Sequence, residues 1–252
     1  MRLTFLGTGT STGVPTLGCH CQTCSSSDPH DQRTRSSVLI EYEGRAVVID
    51  TTPDFRQQAL REKLDHLDAV VFTHTHADHV FGLDDIRVYN LRQKHAIPVY
   101  ADNSSMQDIR RIFDYVFRRN YAAGGLPNFD PHLIDGPFEL WGQTMVPLHV
   151  FHGELPILGF RFGSVAYVTD FSAIPETTLE LLTDLDVLVL AALRHKPHPA
   201  HSTLKNSVDL VKRLKPQRAF FTHIAHELGH EATNALLPPN IRLAHDGLKL
   251  DL

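Results

Sequence analysis

The chain has 252 residues, 42% hydrophobic and 21% charged, which supplies a packed core and excludes general disorder. Its 24 Lys and Arg against 29 Asp and Glu leave a formal net charge of −5, so no broad cationic face for long nucleic acid is expected. No run approaches the roughly 18 apolar residues of a membrane span, and the opening MRLTFLGTG lacks the pattern of an export signal, so a cytoplasmic protein without a membrane partner is expected.

In chain order, a first strand is predicted at Leu3–Leu6. A cysteine cluster follows, then a short disordered patch at Ser25–Gln32 and strands at Val38–Tyr42 and Ala46–Ile49. A helix over Asp54–Lys63 follows the sequence TTPD, whose Thr, Pro and Asp suit a helix start. The strand Ala69–Phe72 runs into a histidine-rich turn, and the residues around Asp84–Asn90 read as a helix. After the strand Pro98–Tyr100 comes a helix over Ser104–Arg119, with Ser104 as N-cap and Met106, Ile109, Phe113 and Phe117 at helical spacing. Gly124–Pro131 reads as a joint. Beyond it, strands are predicted at Thr144–Val150, Gly159–Phe162, Val165–Val168, Val187–Leu190 and Ala219–Phe221. Helices are predicted at Pro175–Thr183, Ser202–Leu214 and His230–Leu236, with Ser202 or Thr203 capping the second. The alternation is α/β. A local echo, AVVFTHTHADH (69–79) against RAFFTHIAHE (218–227), suggests two related halves, roughly 1–125 and 126–252, and favours a layered sandwich over one doubly wound sheet.

The chemistry lies in histidine and cysteine. The chain holds 17 histidines, and histidine is the commonest metal ligand. An apolar strand ends and presents His74, His76, Asp78 and His79 within six residues. That is more donors than one ion usually takes from so short a segment, so two neighbouring ions are the natural reading. The three cysteines, Cys19, Cys21 and Cys24, are an odd, clustered set, poor for disulfides and suited to a metal that takes its fourth ligand from a distant histidine. His20 is a local rival, strained by its cysteine neighbours.

The H-x-H-x-D-H motif after a strand, with the Gly7-Thr8-Gly9 turn and Asp50 at a strand end, resembles the metallo-β-lactamase superfamily over essentially the whole chain. The resemblance implies a single domain, 1–252, folded as a four-layer αββα sandwich. GCHCQTC and THIAH resemble the PhnP-type phosphodiesterases, which cleave cyclic phosphodiesters and carry a structural zinc. Carried over by position, His74 and His76 would hold one divalent ion (Zn2+ or Mn2+) with His152, for which His149 is the competing choice. Asp78, His79 and His223 would hold a second, with Asp170 bridging. Cys19, Cys21, Cys24 and His226 would close a structural zinc site. His201 is the candidate general acid, with His195 as alternative, and Asp50 would support the motif by hydrogen bonds. A homodimer is reasonable on the same resemblance.

Two dications, two carboxylates and a hydroxide leave the site at about +1, attractive to a phosphate anion. Water held between two ions loses a proton readily and becomes a nucleophile at neutral pH. The resemblance implies a small, cyclic phosphodiester of the phosphoribosyl type as the substrate. A ribonuclease Z-like nuclease is the alternative, but only 17 residues separate His152 from Asp170, too few for a tRNA-gripping arm there. A zinc-stapled binding module without activity is the other alternative.

Overall fold

The computed structural model describes residues 1–118 and 125–252. Arg119, at the end of a predicted helix, and Gly124, at the start of the predicted joint, lie outside the described residues. The elements run β1 (Arg2–Gly7), β2 (Ser37–Tyr42), β3 (Arg45–Ile49), α1 (Phe55–Glu62), β4 (Ala69–Val71), α2 (Ala77–Val80), α3 (Arg87–Gln93), β5 (Ile97–Ala101), α4 (Asn103–Ile112), α5 (Asp114–Phe117), β6 (Phe129–Leu133), β7 (Phe138–Leu140) and β8 (Gln143–His152). They continue as β9 (Leu155–Phe162), β10 (Val165–Val168), α6 (Glu176–Leu179), β11 (Val187–Ala191), α7 (Leu204–Leu214), β12 (Arg218–Thr222), α8 (His230–Asn234), β13 (Ile241–Leu243) and β14 (Lys249–Asp251). Among the described residues no helix is long and apolar enough to cross a membrane.

The chain divides into two compact units, and the division is not a simple cut in sequence. One unit comprises Met1–Gly7, Ser37–Asp135 and Gly247–Leu252, the other Thr8–Ser36 and Gly136–Asp246. The first contains a seven-stranded sheet in the order β14-β1-β2-β3-β4-β5-β6. Strands β1 to β3 are antiparallel, and β3 to β6 are parallel. The inner parallel strands β3 and β4 read as apolar runs because they are buried on both faces. Val48, Val70 and Val99 pack with Phe55, Ile86 and Ile109 in one buried cluster. Helix α4 buries Met106 and Ile109, each worth roughly 1.5–3 kcal/mol against exposure.

The second unit contains a sheet in the order β13-β12-β11-β10-β9-β8-β7. Here β9 and β10 are antiparallel, and β10 to β13 parallel. Its core is built from Leu148, Ile157, Val168, Leu190, Val211 and Phe221. The two units thus repeat one topology, with β2 to β6 corresponding to β9 to β13. The counterpart of β4 in this order is β11, so the echo between residues 69–79 and 218–227 is a likeness of strand ends and not the register of the repeat.

Several expectations change. Strands β6, β7, β13 and β14 went unpredicted, and they are the four sheet edges. Edge strands are short and half-covered, so they carry no apolar run. The predicted 104–119 helix breaks at Phe113, and Asp102, not Ser104, caps it by accepting the Ser105 N–H at 2.7 Å. Thr203 caps α7 through the Asn206 N–H. Segment Ser25–Gln32, expected to be disordered, forms a 3-10 turn at Pro29–Asp31 that Asp28 caps by accepting the His30 N–H at 2.9 Å.

That turn places His30 against His230 and His245, with ring centroids 4.6 and 4.1 Å apart. Burial, reinforced by His30 and His245, holds His230 down to about 4, and burial also lowers His245. Both lie below the unfolded value of about 6.5. The folded unit therefore refuses protons that the unfolded chain accepts as pH falls from about 6.5 to 4, and stability is lost across that window. Between pH 7 and 5 the His230 contribution is about 1–2 kcal/mol after solvent screening. Urea midpoints at the two pH values check this: His230→Gln is expected to flatten the dependence.

Candidate metal centres

In the first unit the apolar strand β4 ends at Val71, and the chain delivers Thr73 to His79 into the start of α2. The sequence predicts a turn for these residues, whereas Asp78 and His79 occupy the first turn of the short helix α2. Gly82, just after it, donates its N–H to the Thr51 carbonyl at 2.9 Å. A Cβ at Gly82 would stand 2.0 Å from the Thr52 carbonyl oxygen, so only glycine permits this approach.

Asp50 organises the cluster. It directly follows β3 with φ +65°, a left-handed conformation that Asp tolerates better than most residues. Its carboxylate accepts the Thr73 N–H at 2.9 Å and the Thr73 hydroxyl at 2.8 Å. It also accepts from His79 Nδ1 at 2.8 Å. With its proton given to Asp50, the Thr73 hydroxyl accepts from His74 Nδ1 at 3.0 Å. One buried carboxylate thereby fixes both imidazoles with the proton on Nδ1 and the lone pair on Nε2, the form that binds a metal. Burial pushes the Asp50 carboxyl above the usual range, opposed by His79 and Thr73. The rings of His74 and His76 lie 4.6 Å apart and those of His74 and His79 4.2 Å, while an Asp78 oxygen stands 3.3 Å from His79 Nε2.

In the second unit Asp170 lies two residues after β10 and His223 follows β12, both at positive φ, +56° and +54°. His223 Nε2 lies 3.1 Å from Asp170 Oδ1. His152 ends β8 and donates from Nδ1 to the Ala200 carbonyl at 2.7 Å, which again leaves the lone pair on Nε2. The chain turns away at Gly153, φ +61°. The ring of His201 lies 4.5 Å from that of His152 and 4.8 Å from that of His223. Donor atoms of His152, Asp170 and His201 fall within 4.8 Å of one another. Burial, then His223, depresses His201 to about 3, so its ring is neutral at pH 7 unless a neighbouring anion favours the imidazolium. His149 and His195 are exposed and outside this group.

The second unit also gathers Cys19, Cys21, Cys24 and His226. Their Sγ atoms lie 3.2, 3.3 and 3.5 Å from His226 Nδ1. Tetrahedral zinc, with bonds near 2.3 Å to sulfur and 2.05 Å to nitrogen, requires about 3.5 Å between such donors, so the set fits that ion. The Cys24 N–H donates to Cys21 Sγ at 3.4 Å and holds Cys21 down to about 6, while burial pushes Cys24 up to about 11. A dication held by such a set deprotonates its thiols outright. His20 is exposed and takes no part.

Asp246 escaped the sequence reading. It accepts the N–H and hydroxyl of Thr8, both at 2.9 Å, and those of Thr34 at 2.9 and 2.6 Å. Nothing in HDG marks it, because its partners lie over 200 residues away.

The model of the beta-lactamase superfamily domain matches residues 45–224. A Porphyromonas gingivalis protein named octanoyltransferase is 42% identical over 253 residues, 99% of this chain and 51% of that protein. This chain thus spans about half the length of that curated relative. Among solved structures, a diphosphatase from the PhnP family superposes with a TM-score of 0.94 at 50% identity, covering 100% of this chain and 97% of the other. Zinc-bound PqqB from Methylobacterium extorquens superposes with a TM-score of 0.81 at 21% identity, covering 100% of both chains, and shares the fold.

Proposed function

We propose, from the premise that this chain belongs to the metallo-β-lactamase superfamily, that it hydrolyses a small phosphodiester with two divalent ions, Zn2+ or Mn2+. His74, His76 and His152 would hold one ion, and Asp78, His79 and His223 the other, with Asp170 shared. The observation that carries the reading is the donor chemistry: imidazoles whose Nδ1 protons are already committed to Asp50, Thr73 and the Ala200 carbonyl, beside carboxylates. Such ions, when bound, supply Lewis acidity toward a phosphoryl oxygen and an activated water. This chain's residues orient the ligands. His201 would bind the phosphate or return a proton to the leaving oxygen, because an anion beside it offsets the burial that keeps it neutral. The zinc at Cys19, Cys21, Cys24 and His226 would be structural, since four protein ligands leave no open position. Unbridged cysteines suit the cytoplasm.

A cyclic phosphodiester of the phosphoribosyl type is the substrate we favour. The likeness to a diphosphatase supports a second reading, a diphosphate linkage, in which phosphorus likewise carries two bridging oxygens. Between His152 and Asp170 the chain has only β9 and β10, which argues against a tRNA-gripping arm at that point. About half of the Porphyromonas protein lies outside the match, so acyl transfer is not carried over.

The test offers the protein, loaded with Mn2+ or Zn2+, a ribose cyclic phosphate, a diphosphate diester, bis(p-nitrophenyl) phosphate, a tRNA precursor and a β-lactam. Turnover of the cyclic ester is expected. Turnover of the diphosphate alone selects the second reading, cleavage of the precursor alone selects the nuclease, and inertness toward all of them selects the binding module.

A further inference from the structure

We propose that Arg33 is a positioning residue that holds the turn carrying His223 and His226. Its side chain is wholly buried, and every donor nitrogen has an acceptor. Nη2 donates to the Leu228 carbonyl at 2.8 Å and to Asp31 Oδ1 at 3.0 Å. Nη1 donates to the Ala225 carbonyl at 3.4 Å, and Nε to the His30 carbonyl at 3.2 Å. His226 lies between the two turn carbonyls that the guanidinium grips, and His223 two residues before the first. Asp31 Oδ1 also accepts the His230 N–H at 2.8 Å, pinning the far end of the same turn. The near end is held by backbone pairing, Ile224 N to Thr8 O at 2.9 Å and Thr10 N to Ile224 O at 3.1 Å.

Arg33 is itself fixed. Its N–H and C=O exchange hydrogen bonds with Val14 at 2.7 and 2.9 Å. A Cβ on Gly9 would come 2.8 Å from the Arg33 carbonyl oxygen, so the neighbouring strand is drawn in as close as glycine allows. A buried ion pair is weak support for stability by itself, since well-packed apolar side chains often serve as well or better. Here the donors converge on main-chain carbonyls of one turn, a geometry that a planar fork meets and a point charge does not. Burial lowers the Arg33 pKa, while Asp31, then Asp246 and Asp28, and last Cys24 favour its charged form. The inference rests on the zinc and His223 assignments above, and it adds that one side chain couples them.

Arg33→Lys keeps the charge and loses the fork. Val211→Ala, which truncates the core on α7 in the cluster that also holds Ile224 and Leu228 but leaves the hydrogen bonds of Arg33 in place, serves as a control for lost stability. Zinc retention against a chromogenic chelator, the thiolate charge-transfer spectrum of the Co2+-loaded cysteine site, and kcat and KM are read for all three proteins. Arg33→Lys is expected to release zinc about 10-fold more readily, to shift the cobalt spectrum, and to lower kcat about 10-fold or more with KM within two-fold. Val211→Ala is expected to lower only the melting temperature. Wild-type zinc retention and an unchanged cobalt spectrum in Arg33→Lys would overturn the proposal, as would equal losses in the control. If Arg33→Lys does not fold, Arg33→Gln, whose amide still reaches one carbonyl, is measured in its place, and the same outcomes decide. Absence of zinc from the wild-type protein would instead reject the cysteine-site assignment.

Discussion

Asp78→Ala is expected to abolish phosphodiester turnover, lowering kcat by roughly 10³-fold or more, and Asp50→Asn to lower it about 10–100-fold. The two acids are neighbours of one imidazole in different roles. Asp78 stands 3.3 Å from His79 Nε2, on the side that would face the proposed ion, so alanine would delete an anionic donor outright. Asp50 touches Nδ1 of the same ring from a fully buried position, and asparagine keeps its shape. Three donor groups converge on that carboxylate: the Thr73 N–H, the Thr73 hydroxyl and His79 Nδ1. An amide offers one acceptor oxygen and turns its own N–H toward one of them. Either the ring of His79 reverses its tautomer or a buried donor loses its partner, and both weaken metal binding. Single-turnover rates with elemental analysis check the series. Asp78→Ala retaining wild-type activity would reject the proposed centre. In Asp50→Asn, excess Mn2+ is expected to restore part of the rate, because the ligands remain and only their orientation is loosened.

The second large effect lies at the cysteines. Cys21→Ser is expected to lose one zinc per chain and to lower the melting temperature by about 5–10 °C, with a smaller effect on chemistry. Zinc bound only to the folded chain adds its binding free energy to folding. The other hydrogen bonds of the loop from Cys19 to Cys24 are local, among them Cys19 N to Thr16 O at 3.0 Å, Ser25 N to Cys21 O at 2.9 Å and Thr16 N to Cys24 Sγ at 3.3 Å. The long-range tie is to His226, more than 200 residues away. Serine has no thiol and its hydroxyl stays protonated near neutral pH, and the remaining Cys2His set leaves zinc exposed to chelators. Differential scanning calorimetry and metal counting report the two losses separately. A full wild-type zinc count in Cys21→Ser refutes the site.

The amino-acid sequence by itself determined which short segments concentrate potential metal donors. Strand ends were legible because an apolar run stops there and a polar residue follows, as at Asp50, Thr73, Asp170 and His223, and donors within one turn, such as His74 to His79 or Cys19 to Cys24, announce themselves by spacing. Only the tertiary structure decided what depends on partners far along the chain. It placed His152 and His201 with Asp170 and left His149 and His195 exposed. It buried Arg33 and Asp31 beneath the 223–230 turn, ordered Ser25–Gln32, and formed the four edge strands. The reason is physical: hydrophobic periodicity reports how a segment meets the core, whereas burying a charge or pairing an edge is set by groups tens to hundreds of residues away, of which the local pattern holds no trace.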